Sequence, residues 1–135
     1  MTDSDAIKAT ISNLYKAISS DENKMQDWIL FRSLFENKSI LIENRNGINR
    51  IFEILQFENE MKEAFIKNVE LLKNGFQEKE IESSIYQNKN NAFCISKYKK
   101  KYMINDQKFD QIGENYIQLC KTKNEWKIIS IMWNE

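Results

Sequence analysis

The hydrophobic period of this chain turns from mainly helical to alternating at Asn74-Gly75, and that change constrains the fold more than any other feature. Before it, one hairpin excepted, apolar residues recur three and four positions apart, as on one face of a helix. After it, from Phe76 onward, they alternate, as on one face of a strand. Striped helices and one-sided strands bury their apolar surfaces by packing against each other, which predicts an α+β domain with a sheet folded over helices. With 135 residues and no repeat or low-complexity stretch, residues 1–135 suit a single domain.

Within the helical part, Ile7, Ile11, Leu14, Tyr15 and Ile18 predict a first helix, with Asp3, Ser4 and Asp5 able to cap its start. Trp28, Phe31, Leu34 and Phe35 predict a short second helix after Asp27, with Asn37 as a left-handed terminator. Residues 39–43 and 48–55, flanking Asn46-Gly47, predict a hairpin, because Asn and Gly tolerate the positive φ of tight turns. Phe57, Met61, Phe65, Val69 and Leu72 predict a longer third helix, stopped at Gly75. Four strands follow, over 76–87, 92–103, 111–121 and 125–133.

Composition removes several function classes. There is no histidine, so Ser-His-Asp and Cys-His chemistry and His-bearing metal sites are unavailable, and any chemistry falls to carboxylates, Tyr, Lys or Cys. Three glycines and no proline leave no GxGxxG or phosphate-binding loop. Lys plus Arg and Asp plus Glu are both 20, so no net field favours nucleic acid or an anionic membrane, and neither is expected as a partner. Lys97 to Lys101 reads as a solvated strand end. No metal-ligand spacing and no cofactor motif occurs, so none is expected. The start, MTDSDAIKAT, lacks a signal-peptide pattern, and no apolar run approaches the roughly 18 residues of a membrane span, which predicts a cytoplasmic protein. Cys94 and Cys120, without CxxC spacing, fit small hydrophobes in a reducing compartment.

Several segments resemble the nuclear transport factor 2-like superfamily, and in particular its SnoaL-like bacterial members. They are Asp27-Trp28 opening a helix that ends in Leu34-Phe35; Gly75-Phe76 running into Glu78-Lys79-Glu80-Ile81; and Gly113 to Leu119 ahead of Trp126-Lys127-Ile128. The resemblance implies a cone-shaped fold, with three helices from the N-terminal half packed in a strongly curved antiparallel or mixed sheet. It also implies a pocket at the wide end and frequent homodimers through the outer sheet face. It implies no single activity, and the histidines used by the dehydratase-like members are absent here.

Alternation sorts the strand residues into two faces once hairpin turns are placed near Lys89-Asn90, Asp106-Gln107 and Lys123-Asn124. One face collects Phe76, Tyr86, Phe93, Ile95, Ile117, Leu119, Trp126 and Ile128 and is the expected concave core face. Toward its far end come Glu80, Glu82, Lys97, Lys99, Asn115, Ser130 and Met132, a polar set suited to a pocket mouth. Glu80 is the candidate catalytic carboxylate, to be tuned by burial beside Trp28 or Met132, with Asn115 able to bond a carbonyl. Trp28, Phe31, Lys97, Asn115 and Met132 are the candidate ligand-binding residues. Plain packing also explains Trp28 and Phe31, and cross-strand pairing of Glu80 with Lys99 and of Glu82 with Lys97 also explains the charges.

The opposite face is expected to carry Tyr98, Tyr116, Gln118, Ile129, Ile131 and Trp133, with Cys94 opposite Cys120 and Tyr98 opposite Tyr116. That face is too apolar to stay wet, and predicts a homodimer. Three functions stay open: a pocket domain binding a small, largely apolar molecule as a homodimer; an isomerase, lyase or cyclase with Glu80 as general base; and an interaction protein whose cone is filled by its own side chains.

Overall fold

The computed structural model describes residues 1–135, the side chain of Leu72 excepted, so that this part of the third-helix stripe lies outside the described residues. Four helices, α1 (Asp3–Ile18), α2 (Trp28–Ser33), α3 (Ile54–Lys67) and α4 (Val69–Asn74), pack in the hollow of one six-stranded sheet. Its strands are β1 (Phe35–Arg45), β2 (Ile48–Glu53), β3 (Phe76–Asn88), β4 (Asn91–Ile104), β5 (Gln107–Thr122) and β6 (Glu125–Asn134). They run in the order β2-β1-β6-β5-β4-β3, with β1 and β6 parallel and every other pair antiparallel. The expected class, an α+β domain with a curved mixed sheet around helices, is what forms. No helix among the described residues is long and apolar enough to cross a membrane.

Local chemistry sets most boundaries. Thr2, rather than the acidic run after it, caps α1: its Oγ1 accepts from the Asp5 N–H while the Asp5 carboxylate accepts from the Thr2 N–H, a capping box. Asp27 caps α2, accepting from the Leu30 N–H at 2.9 Å. That helix is shorter than the sequence predicts: Phe35 already belongs to β1, and the positive φ falls on Lys38, not Asn37. The expected third helix is divided at Asn68, whose non-helical backbone separates α3 from α4, and β2 stops at Glu53, before the expected Leu55. Gly75 ends α4 with φ +91°, and a Cβ there would lie 2.8 Å from the Ser20 carbonyl oxygen, so only glycine fits.

The core is a continuous cluster of Ile7, Ile11, Leu14 and Tyr15 from α1, Phe31 from α2, and inward residues of the sheet such as Cys94, Ile117, Leu119 and Ile128. This composition corrects the sequence-based faces. The turn between β4 and β5 lies at Asn105-Asp106, both with positive φ, one residue earlier than expected. The β4–β5 pairs are shifted by three residues from the expected Cys94–Cys120 and Tyr98–Tyr116, and a shift by an odd number exchanges the two faces of a strand. Cys94, Ser96 and Tyr98 therefore face the core while Phe93, Ile95 and Lys97 face out; Tyr98 lies opposite Gly113 and Cys94 opposite Ile117, with Cys120 opposite Asn91. Two bulges complete the correction. Ile81 is the extra residue between the Glu80–Tyr98 and Glu82–Lys97 pairs, and Ile129 the extra residue between Gln118–Ser130 and Leu119–Ile128. After the second, Ile131 and Trp133 turn inward and Met132 outward, against expectation. The Glu82–Lys97 pairing holds, whereas Glu80 faces Tyr98 and Lys99 faces Lys79.

Candidate functional site

The hollow between the sheet and α3–α4 is not filled by side chains. A cavity of about 530 Å³ remains, with Leu14, Ile18, Phe31, Met61, Phe65 and Leu71 among its apolar walls. Aromatic rings line it in pairs: Phe57 meets Trp133 edge-on at 5.9 Å, and Phe76 lies 5.7 Å from Tyr102, its cross-strand partner. A volume of this size is in the range of small-molecule sites.

The cavity's polar groups come from neighbouring strands. Glu78 on β3 stands opposite Lys100 on β4, next along the same face from the Phe76–Tyr102 pair. Its backbone is fixed at the end of α1, where the Glu78 N–H donates to Ser19 Oγ at 3.0 Å and Ser19 Oγ donates to the Glu78 carbonyl at 3.1 Å. Burial, opposed by Lys100 and reinforced by Glu135, pushes the Glu78 carboxyl up to about 7. Lys100 lies 3.5 Å from Glu135 at the end of β6. On the far side, Glu43 of β1 sits beside Trp133 of β6. Its Oε1 is buried without a hydrogen-bond partner among the described residues, and its nearest cations, Arg45 and Arg50, stand 3.7 Å away.

Tyr98 forms part of the cavity floor. Its ring lies against β5 because position 113 is glycine; a Cβ there would come 2.5 Å from the hydroxyl. Beyond it runs a buried hydrogen-bond chain. Asn115 Nδ2 donates to the Tyr15 hydroxyl at 3.1 Å, that hydroxyl bonds Ser96 Oγ at 2.7 Å, and Ser96 donates to Glu80. Burial raises the phenols of Tyr15 and Tyr98 above their ordinary value, so both are neutral hydrogen-bonding groups.

Of the residues singled out from sequence, Phe31 and Asn115 line the cavity, and Glu80 and Asn115 are joined through Tyr15 and Ser96. Glu80 itself is not part of the cavity lining, and Trp28 stacks edge-on against Phe31 at 5.1 Å outside that lining. Lys97 and Met132 lie on the convex face, whereas Tyr98, Ile131 and Trp133, expected outside, line the cavity; Tyr116, Gln118 and Ile129 are on the convex face as expected. Sequence reasoning did not single out Glu78, although simple alternation puts it on the same face as Phe76 and Glu80. Lys100 and Tyr98 were lost to the bulge at Ile81, which shifts the β3–β4 pairing so that they oppose Glu78 and Glu80. Nothing in the local sequence distinguishes Glu43. Among the described residues, no group of three or more acidic or cysteine side chains has metal-binding geometry.

A cone-shaped α+β domain enclosing a ligand-sized cavity is the class that fold and site define. Its fold is that of the nuclear transport factor 2-like proteins, also described as cystatin-like. An NTF2-like protein of unknown function from Prochlorococcus marinus superposes with a TM-score of 0.70 at 11% identity, over 100% of this chain and 94% of that one. A Shewanella frigidimarina protein described provisionally as a ketosteroid isomerase gives 0.66 at 14% identity, over 95% and 94% of the two chains. A Nostoc punctiforme protein of unknown function with a cystatin-like fold gives 0.70 at 10% identity, over 98% and 90%. No protein-family model and no curated protein sequence matches the chain.

Proposed function

We propose that this protein binds a small, largely apolar molecule in the cone, working as a homodimer through the convex face of the sheet. The observation that carries the binding reading is the unfilled cavity of about 530 Å³, whose aromatic walls end in a polar group of Glu78, Lys100 and Asn115. Burial of an apolar body supplies affinity while a few polar groups fix orientation. A thermal-shift screen against lactones, steroids, polyketide-like compounds and small apolar acids and amines tests it. Ligand at 100 times its Kd stabilises by about 2.7 kcal/mol. Ala64→Trp, which places an indole in the cavity from α3, abolishes that shift while the protein stays folded. A shift that survives Ala64→Trp, or no shift with any compound class, refutes binding in the cone.

A second reading, proton transfer on an enolisable substrate, is favoured by one observation: Glu78 lines the cavity with its carboxyl pushed up to about 7, close to working pH. Glu80, expected in this role, is engaged by Ser96 and stands outside the cavity lining, so the reading moves to Glu78. For any turnover found, Glu78→Gln lowers kcat by about a hundredfold or more while Glu80→Gln has a smaller effect; the reverse order rejects it.

A further inference from the structure

The charges on the cavity wall do not balance, and the imbalance points to the kind of molecule that completes them. Three carboxylates, Glu43, Glu78 and Glu135, line the cavity against two cations, Arg45 and Lys100. Both cations are already engaged, Arg45 with Glu43 at 3.7 Å and Lys100 with Glu135 at 3.5 Å. An anionic ligand would meet no free positive group there and would lie against the carboxyls of Glu43, Glu78 and Glu135. Glu43 is 8% exposed, yet its buried Oε1 accepts no hydrogen bond among the described residues, and both neighbouring arginines are largely in solvent. A buried carboxylate oxygen left in this state is costly unless something donates to it.

Each side of the cavity also sets a carboxylate next to a pair of rings. Glu43 is beside Trp133, which meets Phe57, and Glu78 follows Phe76, which meets Tyr102. Carboxylate and aromatic face together favour one chemical group, a positively charged nitrogen, through charge pairing and the negative face of the ring. We propose that the occupant of the cone is a small amine with an apolar body, its ammonium group held by Glu43 or Glu78 and its body against the rings. This rests on the cavity reading above.

The test compares three probes of one shape by titration calorimetry on the intact protein: naphthylethylamine, naphthylethanol and naphthylacetate. The expected result is that the amine binds about tenfold more tightly than the alcohol, and the carboxylate most weakly. In the double variant Glu43→Gln, Glu78→Gln, which keeps side-chain shape, the amine falls to within about threefold of the alcohol and alcohol binding is retained. Alcohol or carboxylate binding as tightly as the amine overturns the amine assignment and leaves the cavity reading standing, as does an amine preference that survives the double variant. Binding by none of the three overturns both.

Discussion

Glu78 holds its proton in a pH range where an unfolded glutamate has lost it, and the sign of the consequence follows. Its carboxyl moves from an ordinary 4.5 to about 7 because burial penalises the charge. A folded-state value above the unfolded one means that the group's stabilising contribution is complete below about 4.5 and is lost as pH rises to about 7. The expected outcome is that Glu78→Gln matches the native protein near the lower pH and exceeds it at pH 8 by up to about 3 kcal/mol, measured by urea unfolding at both. An equal effect at the two values would mean that the carboxyl does not change its charge within this window. Glu58 shows the opposite balance: burial alone would raise its carboxyl, but hydrogen bonds from Lys62 at 2.6 Å and Arg32 at 2.5 Å outweigh it and hold the group below its ordinary value. It is a tie between α2 and α3, while Glu78 faces the cavity without such partners.

At the scale of elements, two of the boundaries written into the sequence are kept, the start of α2 after Asp27 and the stop at Gly75. The Asp27 cap and the Gly75 stop rest on interactions within a few residues, and sequence reasoning found both. The Gly75 stop also touches tertiary structure, since Ser20 and Phe76 exchange backbone hydrogen bonds of 2.7 and 3.0 Å beside it. Gly75→Ala must therefore adopt a left-handed φ and push a Cβ against the Ser20 carbonyl. A loss of about 1–3 kcal/mol by chemical denaturation is expected, with helix content by circular dichroism unchanged; a neutral effect would show that the α4–β3 corner yields freely. What local reading missed were interruptions: the break at Asn68 and the bulges at Ile81 and Ile129. A bulge inserts one residue and reverses every side chain beyond it, so straight alternation assigned Met132 and Trp133 to each other's face.

For the whole molecule, the corrected register changes the composition of the proposed dimer face without removing it. Tyr98, Ile131 and Trp133 leave the face, while Phe93, Ile95 and Met132 join Tyr116, Gln118 and Ile129 on it. Tyr86 and Met132 on this side are 62% and 48% exposed, enough apolar surface to favour a partner. Light scattering at micromolar concentration is expected to give twice the chain mass, and the double variant Tyr86→Lys, Met132→Lys to give a monomer that still melts cooperatively. A native monomer under those conditions rejects the homodimer. Stable homodimers commonly bury about 1,200–2,000 Å² or more in total, which a curved six-stranded sheet can supply.

The sequence by itself determined what depends on neighbours in the chain: the change of period at Gly75, the start of α2 after Asp27, the Asn46-Gly47 hairpin and the number and order of the strands. Propensity and periodicity act over a few residues, and each of these features is complete within such a span. The tertiary structure alone decided which face of each strand points inward, because that depends on bulges and on the cross-strand register of β4 with β5. It also decided the candidate site. Glu43, Glu78 and Lys100 converge on one cavity from three strands, and Trp133 joins them from a fourth, because a curved sheet brings its distant strands around a common hollow. No window of sequence contains that arrangement, since β1 pairs with β6 across a separation such as that of Ile40 from Ser130, and the pairing is closed only when the sheet folds around α1.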